Sequence, residues 1–484
     1  MMIRSRLLGA VAGLVLATGL PACAASQPEP MTGELYFGFT RLDPVARTAI
    51  EDSYVVVEDG LIRAAGSGTP PAGSYSASYD LTGRYGLPGL IDAHGHITAG
   101  PHAVEVIDGS PTVTIESRDD VVRYHALASL AFGVTTVRNP GGDPQAGARY
   151  DANIASGEWL GPDAVHAGAV IQPPPFGGNA FAYPTTPEEW DAEAARQAEL
   201  GVTYFKLYHA LTEEELAEGV RAADAHGLEV IAHLDQVSWM RAVEIGVDGL
   251  LHALPTSADL LEPGAREQYL ASRGPNSKFY YQWFELADFD GPLMQNLFRE
   301  LAERQIEVDL TLLVNFLVYR RDAFNELYGP DDRFYVHPEA LAATMSFLGA
   351  SGVGWTDEDY ARADAAMQQL FAFVRHLDAA GVPLMVGTDG PGGGSIYWQE
   401  LQLHADAGLD PWRILELATS GNAQGMGLGE TTGRIEAGFE ADLAFFNADP
   451  RLDLENLRQL DRVVSNGRTF TRTELDNLIE EEMN

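Results

Sequence analysis

Short apolar runs alternate with long helical stretches along most of this chain, and that alternation limits the folds available to it. VTYFKLYHAL at 202–211 is followed by TEEELAEGVRAADAHG, then by LEVIAHL and, further on, by VDGLLHAL at 247–254. Thr212 and Glu215 have the spacing of a capping box at the start of the first of these helices. Strands and helices in alternation indicate βα units and a parallel sheet. The sequence therefore predicts an α/β fold.

Sequences rich in β-forming residues lie on both sides of this α/β region. The earlier ones include GELYFGFT and SYVVVEDGLIRAAG, and the later ones include ADLAFFNADP and DRVVSNGRTF. We predict an α/β core over 87–430 and a small β domain assembled from 33–86 and 431–474.

One part of the core, around 263–380, is longer than a single βα unit requires. Its large aromatic side chains are Trp283, Tyr319, Tyr328, Tyr335 and Trp355. Two interpretations stay open: an inserted lid close to the active site, or core helices with ordinary aromatic packing.

The balance of charge restricts the partners. The chain has 31 Lys+Arg against 70 Asp+Glu, which gives a formal net charge of −39. Nucleic-acid binding depends on Lys and Arg neutralising phosphates, so we exclude nucleic acid as a partner. The same field opposes strongly anionic substrates.

The first residues have the features of an export signal. Arg4 and Arg6 precede an uncharged apolar run that is shorter than the roughly 20 residues of a membrane-spanning helix. The following LPAC resembles a bacterial lipobox, so we predict a signal over 1–23, export to the periplasm and a lipid anchor on Cys23. Cleavage by ordinary signal peptidase at Ala-Cys-Ala is the alternative. We expect membrane contact only through that anchor, and the single cysteine excludes internal disulfides.

Side chains that can bind metals lie at the ends of the predicted strands. In LPGLIDAHGHI, His94 and His96 are two residues apart and would face the same side of a strand. Lys206 lies within VTYFKLYHA, although lysine is rarely buried without a partner. The other candidates at strand ends are His233, His252 and Asp389. Because the carboxyl ends of the strands of a βα barrel meet at one face, we expect all six to converge on a divalent-metal site.

These motifs resemble those of the amidohydrolase superfamily, in its binuclear type with a carboxylated lysine. YVVVEDGLIRAAG is similar to the N-terminal β segment of that family, LPGLIDAHGHI to its first barrel strand, and TTGRIEAGFEADLAFFNADP to its C-terminal β segment. FKLY and GLEVIAH are most similar to the imidazolonepropionase-like and prolidase-like branch. The resemblance covers most of the chain after the signal. It implies a (β/α)8 TIM barrel with a small β-sandwich formed by the N- and C-terminal segments.

The resemblance also implies a ligand set for two divalent metal ions, with Zn²⁺ as the expected metal. The implied ligands are His94, His96 and Asp389 for one metal, His233 and His252 for the other, and Lys206, carboxylated by CO₂, between them. A metal-activated water would be the nucleophile, and Asp389 would take its proton and pass it to the leaving amine. Each of these residues also has a structural interpretation when it is considered alone. The histidines could bond backbone carbonyls at strand ends, the aspartate could stabilise a turn, and the lysine could form a salt bridge.

Substrate contacts follow from position alone. Tyr208 lies two residues after Lys206, and we predict that it contacts the substrate or the intermediate; a packed barrel tyrosine is the alternative. Arg138 and Asn179 are the other predicted substrate contacts. Relatives often carry Arg-Asp where this chain has Arg138-Asn139, and His after a glycine pair where it has Asn179. Four further histidines match no ligand position, and we treat them as structural or exposed: His166, His209, His337 and His404.

We expect a metal-dependent hydrolase that cleaves a C–N amide bond in a dipeptide, an N-acyl amino acid or a cyclic amide. Hydrolysis of an ester, a lactone or a phosphotriester is the alternative within the superfamily, because the same chemistry attacks those centres. The competing class is a non-catalytic binding lipoprotein. The expected partner is a small-molecule or dipeptide substrate, and assembly into a homo-oligomer stays open.

Overall fold

The computed structural model describes residues 31–107, 110–273, 277–390 and 394–483. The predicted export signal and Cys23 therefore lie outside the described residues. Within the described residues, no helix has the length and apolar character needed to cross a membrane.

The strands of the described chain form three groups along the sequence. They are β1 Glu34–Asp43, β2 Thr48–Glu58, β3 Leu61–Ser67, β4 Ala77–Asp80, β5 Tyr85–Pro88, β6 Leu90–Asp92, β7 Ala103–Ile107, β8 Ser110–Thr114, β9 Val134–Asn139, β10 Asp163–His166, β11 Val170–Ile171, β12 Phe181–Ala182, β13 Tyr204–Leu207, β14 Glu229–Ala232, β15 Gly249–Leu251, β16 Glu307–Asp309, β17 Leu384–Met385, β18 Leu443–Phe446, β19 Leu460–Ser465 and β20 Arg468–Thr471. The first group is β1 to β5, the middle group is β6 to β17, and the last group is β18 to β20.

Helices separate the strands of the middle group. They are α1 Asp119–Leu130, α2 Pro144–Ser156, α3 Pro187–Glu199, α4 Glu213–His226, α5 Trp239–Ile245, α6 Pro263–Ser272, α7 Lys278–Phe284, α8 Pro292–Arg304, α9 Leu312–Tyr319, α10 Ala323–Leu327, α11 Pro338–Ser351, α12 Asp357–Ala379, α13 Tyr397–Asp406, α14 Pro411–Glu416, α15 Asn422–Gly425 and α16 Arg472–Glu482.

Apart from the antiparallel hairpin of β7 and β8, the strands of the α/β region are parallel, as the βα rhythm predicts, and the α/β prediction is confirmed. β10, β9 and β6 form one ladder, and β12, β11 and β13 to β17 form another. Two isolated parallel bridges join the ladders, one between Ala167 and Tyr204 and one between Gly95 and Gly390. The His96 N–H donates to the Gly390 carbonyl at 2.8 Å beside the second bridge. The eight described strands β6, β9, β10 and β13–β17 thus follow one another around a closed circuit of neighbours.

Local sequence explains how one βα unit of this circuit forms. All four residues of β13 are buried, which agrees with an apolar run lying between the helices and the interior. The predicted capping box starts α4: the Glu215 N–H donates to Thr212 Oγ1 at 3.3 Å, and the Thr212 N–H donates to Glu215 Oε2 at 2.8 Å. Gly227 ends α4 in the left-handed conformation, at φ 72°. The prediction for this helix start is confirmed.

A second sheet contains strands from both sides of the α/β region. Its eight strands lie in the order β20-β19-β18-β5-β1-β2-β3, with β4 beside β1. At the far edge, the Ile62 N–H of β3 donates at 2.8 Å to the carbonyl of Phe439, just before β18. Tyr36 and Phe445 stack with ring centroids 5.7 Å apart in its core. Residues distant in sequence therefore build one β unit.

The predicted insertion, 263–380, contains α6 to α12 together with β16. Its aromatic side chains are mostly buried: Trp283, Tyr319, Tyr328 and Trp355. The Asp359 carboxylate at the start of α12 accepts hydrogen bonds from Tyr281 Oη at 2.6 Å and from Lys278 Nζ at 2.9 Å. These contacts fasten α7 to α12.

Candidate metal centre

The site is built on the carboxyl ends of the parallel strands. His94 and His96 lie just past β6 and flank Gly95, whose backbone bridges Gly390. Asp389 follows β17 by four residues, and its N–H donates to the His94 carbonyl at 2.7 Å. Main-chain contacts between the first and last strands of the circuit thus bring His94, His96 and Asp389 together.

The Asp389 carboxylate lies between three imidazoles. Its Oδ1 is 3.2 Å from His94 Nε2 and 3.0 Å from His96 Nε2, and its Oδ2 is 3.7 Å from His252 Nδ1. Ligand atoms of His94, His252 and Asp389 all lie within 4.8 Å of one another. Such a group of nitrogen and oxygen donors has the composition of a divalent-metal site.

The remaining histidines extend this cluster. His252 follows β15 directly, and its ring centroid is 4.8 Å from that of His94 and 4.4 Å from that of His233. His233 is buried, and neither of its ring nitrogens has a hydrogen-bond partner among the described residues. Buried polar atoms normally have partners, so these nitrogens are placed as free ligand atoms.

Two ligand candidates have strained backbones. His252 has φ 75° and Asp389 has φ 52°, both in the left-handed region that non-glycine residues seldom occupy. Such outliers concentrate at functional sites, where the surrounding structure holds them in place. Both turns point their side chains toward the same cluster.

Lys206 contributes an amine from within β13. It is only 2% exposed, and its Nζ lies 5.7 Å from the ring centroid of Tyr208. In the described chain no carboxylate is within ion-pair distance of this Nζ. Burial lowers the pKa of Lys206 to about 7, although the negative charges of Asp389 and Asp309 oppose the shift. A large fraction of this lysine is therefore a neutral amine at neutral pH, which is the form that reacts with CO₂.

The protonation states suit metal ligation. Burial lowers the pKa of His252 to about 3 and holds that of His233 well below its ordinary value. Burial alone would raise the pKa of Asp389, but the charges of His94 and His252 bring it well below its ordinary value. Neutral imidazoles and an ionised carboxylate are the forms that bind metal. His94 differs: burial alone would lower its pKa, but the charges of Asp309 and Asp389 raise it above its ordinary value. A divalent cation bound there would displace a proton from His94, whereas neutral His233 and His252 and ionised Asp389 are already in the binding form.

Asp309 and Thr311 support the site, and the sequence reasoning missed both. Asp309 Oδ2 is 2.6 Å from His94 Nδ1, and Thr311 Oγ1 is 2.9 Å from His252 Nδ1. The available signal was the acid within the apolar run IEVDLTLLV, which is as unusual there as Lys206 is within its own strand.

Arg138 is placed inside the circuit. It is fully buried; its Nε donates to the Ala93 carbonyl at 2.7 Å, and its Nη2 donates to Asp309 at 2.9 Å. Its Nη1 lies 3.4 Å from Glu307 Oε2. The guanidinium thus donates its hydrogen bonds to oxygens of the protein. These bonds orient Asp309 and leave no free cation to contact a ligand.

The other predicted contacts lie near the outer side of the cluster. The ring centroid of Tyr208 is 4.8 Å from that of His233 and 6.1 Å from that of Phe176. Asn179 is exposed, in the same loop as Phe176, between β11 and β12. His209, to which we gave no role, lies 5.8 Å from His233 between ring centroids. Tyr208 therefore adjoins the candidate ligands directly, whereas Asn179 lies on an exposed loop.

Three of the four histidines that we treated as structural or exposed have partners away from the cluster. His166 pairs with Asp151 at 3.0 Å, and His404 Nδ1 bonds the Glu400 carbonyl at 2.8 Å. His337 caps α11 by accepting the Glu339 N–H. These contacts agree with structural roles.

Comparison with known proteins finds similarity to one family over part of the chain. A model of the amidohydrolase family matches residues 333–470. The imidazolonepropionase of Sphingopyxis alaskensis is 26% identical over 218 residues, which cover 39% of this chain and 54% of that protein. The chain thus spans about half the length of this relative.

Solved structures share the fold over nearly the whole chain. A Xaa-Pro dipeptidase crystallised with methionine in its active site has a TM-score of 0.62 at 18% identity, covering 90% of this chain and 99% of that one. A bottromycin amidohydrolase has a TM-score of 0.67 at 19% identity, covering 93% and 90%. The chain therefore matches the amidohydrolase family over residues 333–470 and shares, along most of its length, the fold of the dipeptidase and of the bottromycin amidohydrolase.

Proposed function

We propose that this protein is a metal-dependent hydrolase that cleaves the C–N amide bond of a dipeptide, an N-acyl amino acid or a cyclic amide. The observation that carries the proposal is the buried cluster around Asp389, in which His94 Nε2 and both ring nitrogens of His233 have no hydrogen-bond partner among the described residues. The match to the amidohydrolase family, and the dipeptidase and amidohydrolase among the fold neighbours, support an amide substrate.

The proposed cofactors are two divalent metal ions, and Zn²⁺ is the metal that we expect. The residues that would hold them are His94, His96, His233, His252, Asp389 and carboxylated Lys206. Bound there, the ions would supply Lewis acidity that polarises the substrate carbonyl and lowers the pKa of water.

Asp389 is the proposed proton carrier. Its carboxylate faces His94, His96 and His252, and it is 22% exposed, so one side of it reaches the space where a substrate enters. An ionised carboxylate there can accept a proton from the attacking water and return it to the leaving amine. Tyr208, whose ring centroid lies 4.8 Å from that of His233, is the proposed hydrogen-bond donor to the substrate or the developing oxyanion.

Carboxylation of Lys206 is part of the proposal. The amine is buried without an ion-pair partner in the described chain, an expensive arrangement for an ammonium. A carbamate at this position would add an anionic oxygen ligand to a cluster otherwise dominated by neutral imidazoles.

We also propose the finer features of the fold. The eight-strand circuit is assigned as a (β/α)8 barrel, which the closing bridges at Gly95 and Ala167 support. The sheet built from both sides of the chain is assigned as a curled, two-layer sandwich, since β3 bonds the segment that leads into β18. Export to the periplasm with a lipid on Cys23 remains a proposal from the sequence, and the mass of the mature N-terminus tests it.

The test of function is amine release from a panel of dipeptides, N-acyl amino acids and cyclic amides, using signal-less protein reconstituted with zinc and bicarbonate. Hydrolysis of a coherent subset supports the proposal. Turnover only of esters, lactones or phosphotriesters would replace the amide assignment. A protein that never holds divalent metal would instead be a non-catalytic binding protein.

A further inference from the structure

We propose that Asp309, held in place by Arg138, is the positioning residue that fixes the ring tautomer of His94 and so directs His94 Nε2 into the metal centre. This inference rests on the proposed metal-dependent function. It gives Arg138 a role different from the substrate contact expected from the sequence.

The geometry around Asp309 is that of a carboxylate shared by two donors. Its Oδ2 lies 2.6 Å from His94 Nδ1 and 2.9 Å from Arg138 Nη2, and all three side chains are buried. The carboxylate can only accept, so His94 Nδ1 must carry the hydrogen. A metal-binding histidine is commonly oriented by a carboxylate on its other nitrogen in this way.

With the hydrogen on Nδ1, the other nitrogen of a neutral His94 presents a lone pair. That atom, Nε2, lies 3.2 Å from Asp389 Oδ1, which is itself an acceptor. Two acceptors at this separation need a proton or a cation between them or beside them. The tautomer selected by Asp309 therefore creates an acceptor pair at the position where a metal would bind.

Arg138 secures both the ring and the backbone of His94. Its Nη2 holds the carboxylate on the His94 ring, while its Nε donates at 2.7 Å to the carbonyl of Ala93, the preceding residue. The guanidinium also lies over the Tyr204 ring, 5.3 Å from its centroid. A planar donor set of this kind fixes direction as well as charge.

Asp309 contacts a second ligand candidate through its main chain. Its carbonyl accepts the His252 N–H at 2.7 Å, at the residue where the backbone is left-handed. One residue of β16 therefore positions a ligand from β6 through its side chain and a ligand from β15 through its backbone. A side-chain substitution at Asp309 leaves the second contact available, which isolates the effect on His94.

The test compares Asp309→Asn, Asp309→Leu and Arg138→Met with Glu307→Gln as the matched control. Asparagine keeps an acceptor oxygen for His94, and leucine removes it. Glu307 is the other carboxylate near Arg138, at 3.4 Å, and has no contact with His94. The zinc dissociation constant of each apoprotein is measured by competition with a chelator.

We expect Asp309→Leu and Arg138→Met to weaken zinc binding by about 10–100-fold, the range seen when such outer partners are removed. Asp309→Asn should weaken it less, and Glu307→Gln should stay within about twofold. Zinc affinity unchanged in Asp309→Leu would overturn the proposal, as would an equal loss in Glu307→Gln.

The second readout does not depend on metal. In the apoprotein labelled with ¹⁵N-histidine, the His94 resonances report which ring nitrogen carries hydrogen. His94 Nδ1 should carry hydrogen in the wild type and in Asp309→Asn, whether or not Nε2 is also protonated, and should lose it in Asp309→Leu. If the wild type binds no divalent metal, the proposed function fails. The His94 resonances would still show whether Asp309 determines which ring nitrogen carries hydrogen. A wild-type His94 protonated only on Nε2 would refute the positioning role even with zinc bound normally.

Discussion

Replacing Asp359 by asparagine should loosen the inserted helices without touching the metal centre. The carboxylate accepts hydrogen bonds from Tyr281 Oη at 2.6 Å, Lys278 Nζ at 2.9 Å, and the N–H and Oγ1 of Thr356 at 2.7 and 2.8 Å. Asparagine keeps one acceptor oxygen and loses the charge. A bond to a charged group contributes about 1.5–3 kcal/mol and a cap about 1 kcal/mol, so we expect a cost of about 3 kcal/mol.

That cost corresponds to an opening equilibrium about 100-fold larger, since each 1.4 kcal/mol is a factor of ten. The assay is hydrogen exchange of α7, read by mass spectrometry at pH 7, where exchange follows local opening. Asp357→Asn is the control, because Asp357 lies in the same first turn but is 91% exposed and paired to Arg321 at the surface. Such a pair contributes about 0–1 kcal/mol. Exchange of α7 accelerated less than about threefold, or equally in the control, would refute the reasoning.

Acid should remove the difference between the wild type and Asp359→Asn. The pKa of Asp359 lies well below its ordinary value, because the hydrogen bonds of Tyr281, Thr356 and Lys278 outweigh its burial. A lowered folded-state pKa contributes stability above the unfolded value of about 3.9, and that stability is lost as the pH falls through the folded value. The exchange difference should therefore be complete at pH 5 and shrink steadily below pH 4.

Three further substitutions test the site itself. Lys206→Ala should lose most bound metal and activity, with partial rescue by a short carboxylic acid; full metal occupancy measured in that variant would contradict a bridging role. Asp389→Asn should lower kcat by about 100-fold or more, which is the scale of a lost general base. Turnover at the wild-type rate would contradict the assignment of Asp389 as the proton carrier. Phe176→Ala removes the aromatic ring beside Tyr208. The loss of about 1 kcal/mol of apolar contact should raise KM about fivefold and leave kcat unchanged. An equal fall in kcat would place Phe176 in the chemical step instead.

Much of the fold could be predicted because local signals agree with the global pattern. The capping box at Thr212 and the apolar run of β13 each determine an element without knowledge of its neighbours. The positions of the ligand candidates followed from a similar rule. Lys206 and His252 are polar residues at or near the ends of apolar runs, and parallel strands bring such ends to one edge.

What could not be predicted depends on partners distant in sequence. The sequence shows Arg138 at the end of the strand-like run GVTTVRN, but its contact with Asp309 spans 171 residues, and sequence alone gives no direction to a side chain. The prediction that Arg138 binds substrate therefore rested on its position in the sequence alone, without knowledge of the side chains that contact it. Likewise, the hairpin of β7 and β8 between β6 and α1 was not anticipated, because its strands are short and β7 is mostly exposed.

The bridge between Gly95 and Gly390 has a consequence for how the molecule is made. His94 and Asp389 become neighbours only when the last parallel strand reaches the first, after nearly 300 residues have been ordered between them. Contacts of such separation form late and slowly during folding. A growing chain that has produced β6 but not β17 carries His94 and His96 without the Asp389 carboxylate that lies between them in the folded protein. Acquisition of the proposed metal should therefore follow the pairing of Gly390 with Gly95, and a bound ion would distinguish molecules that have completed this step from those that have not.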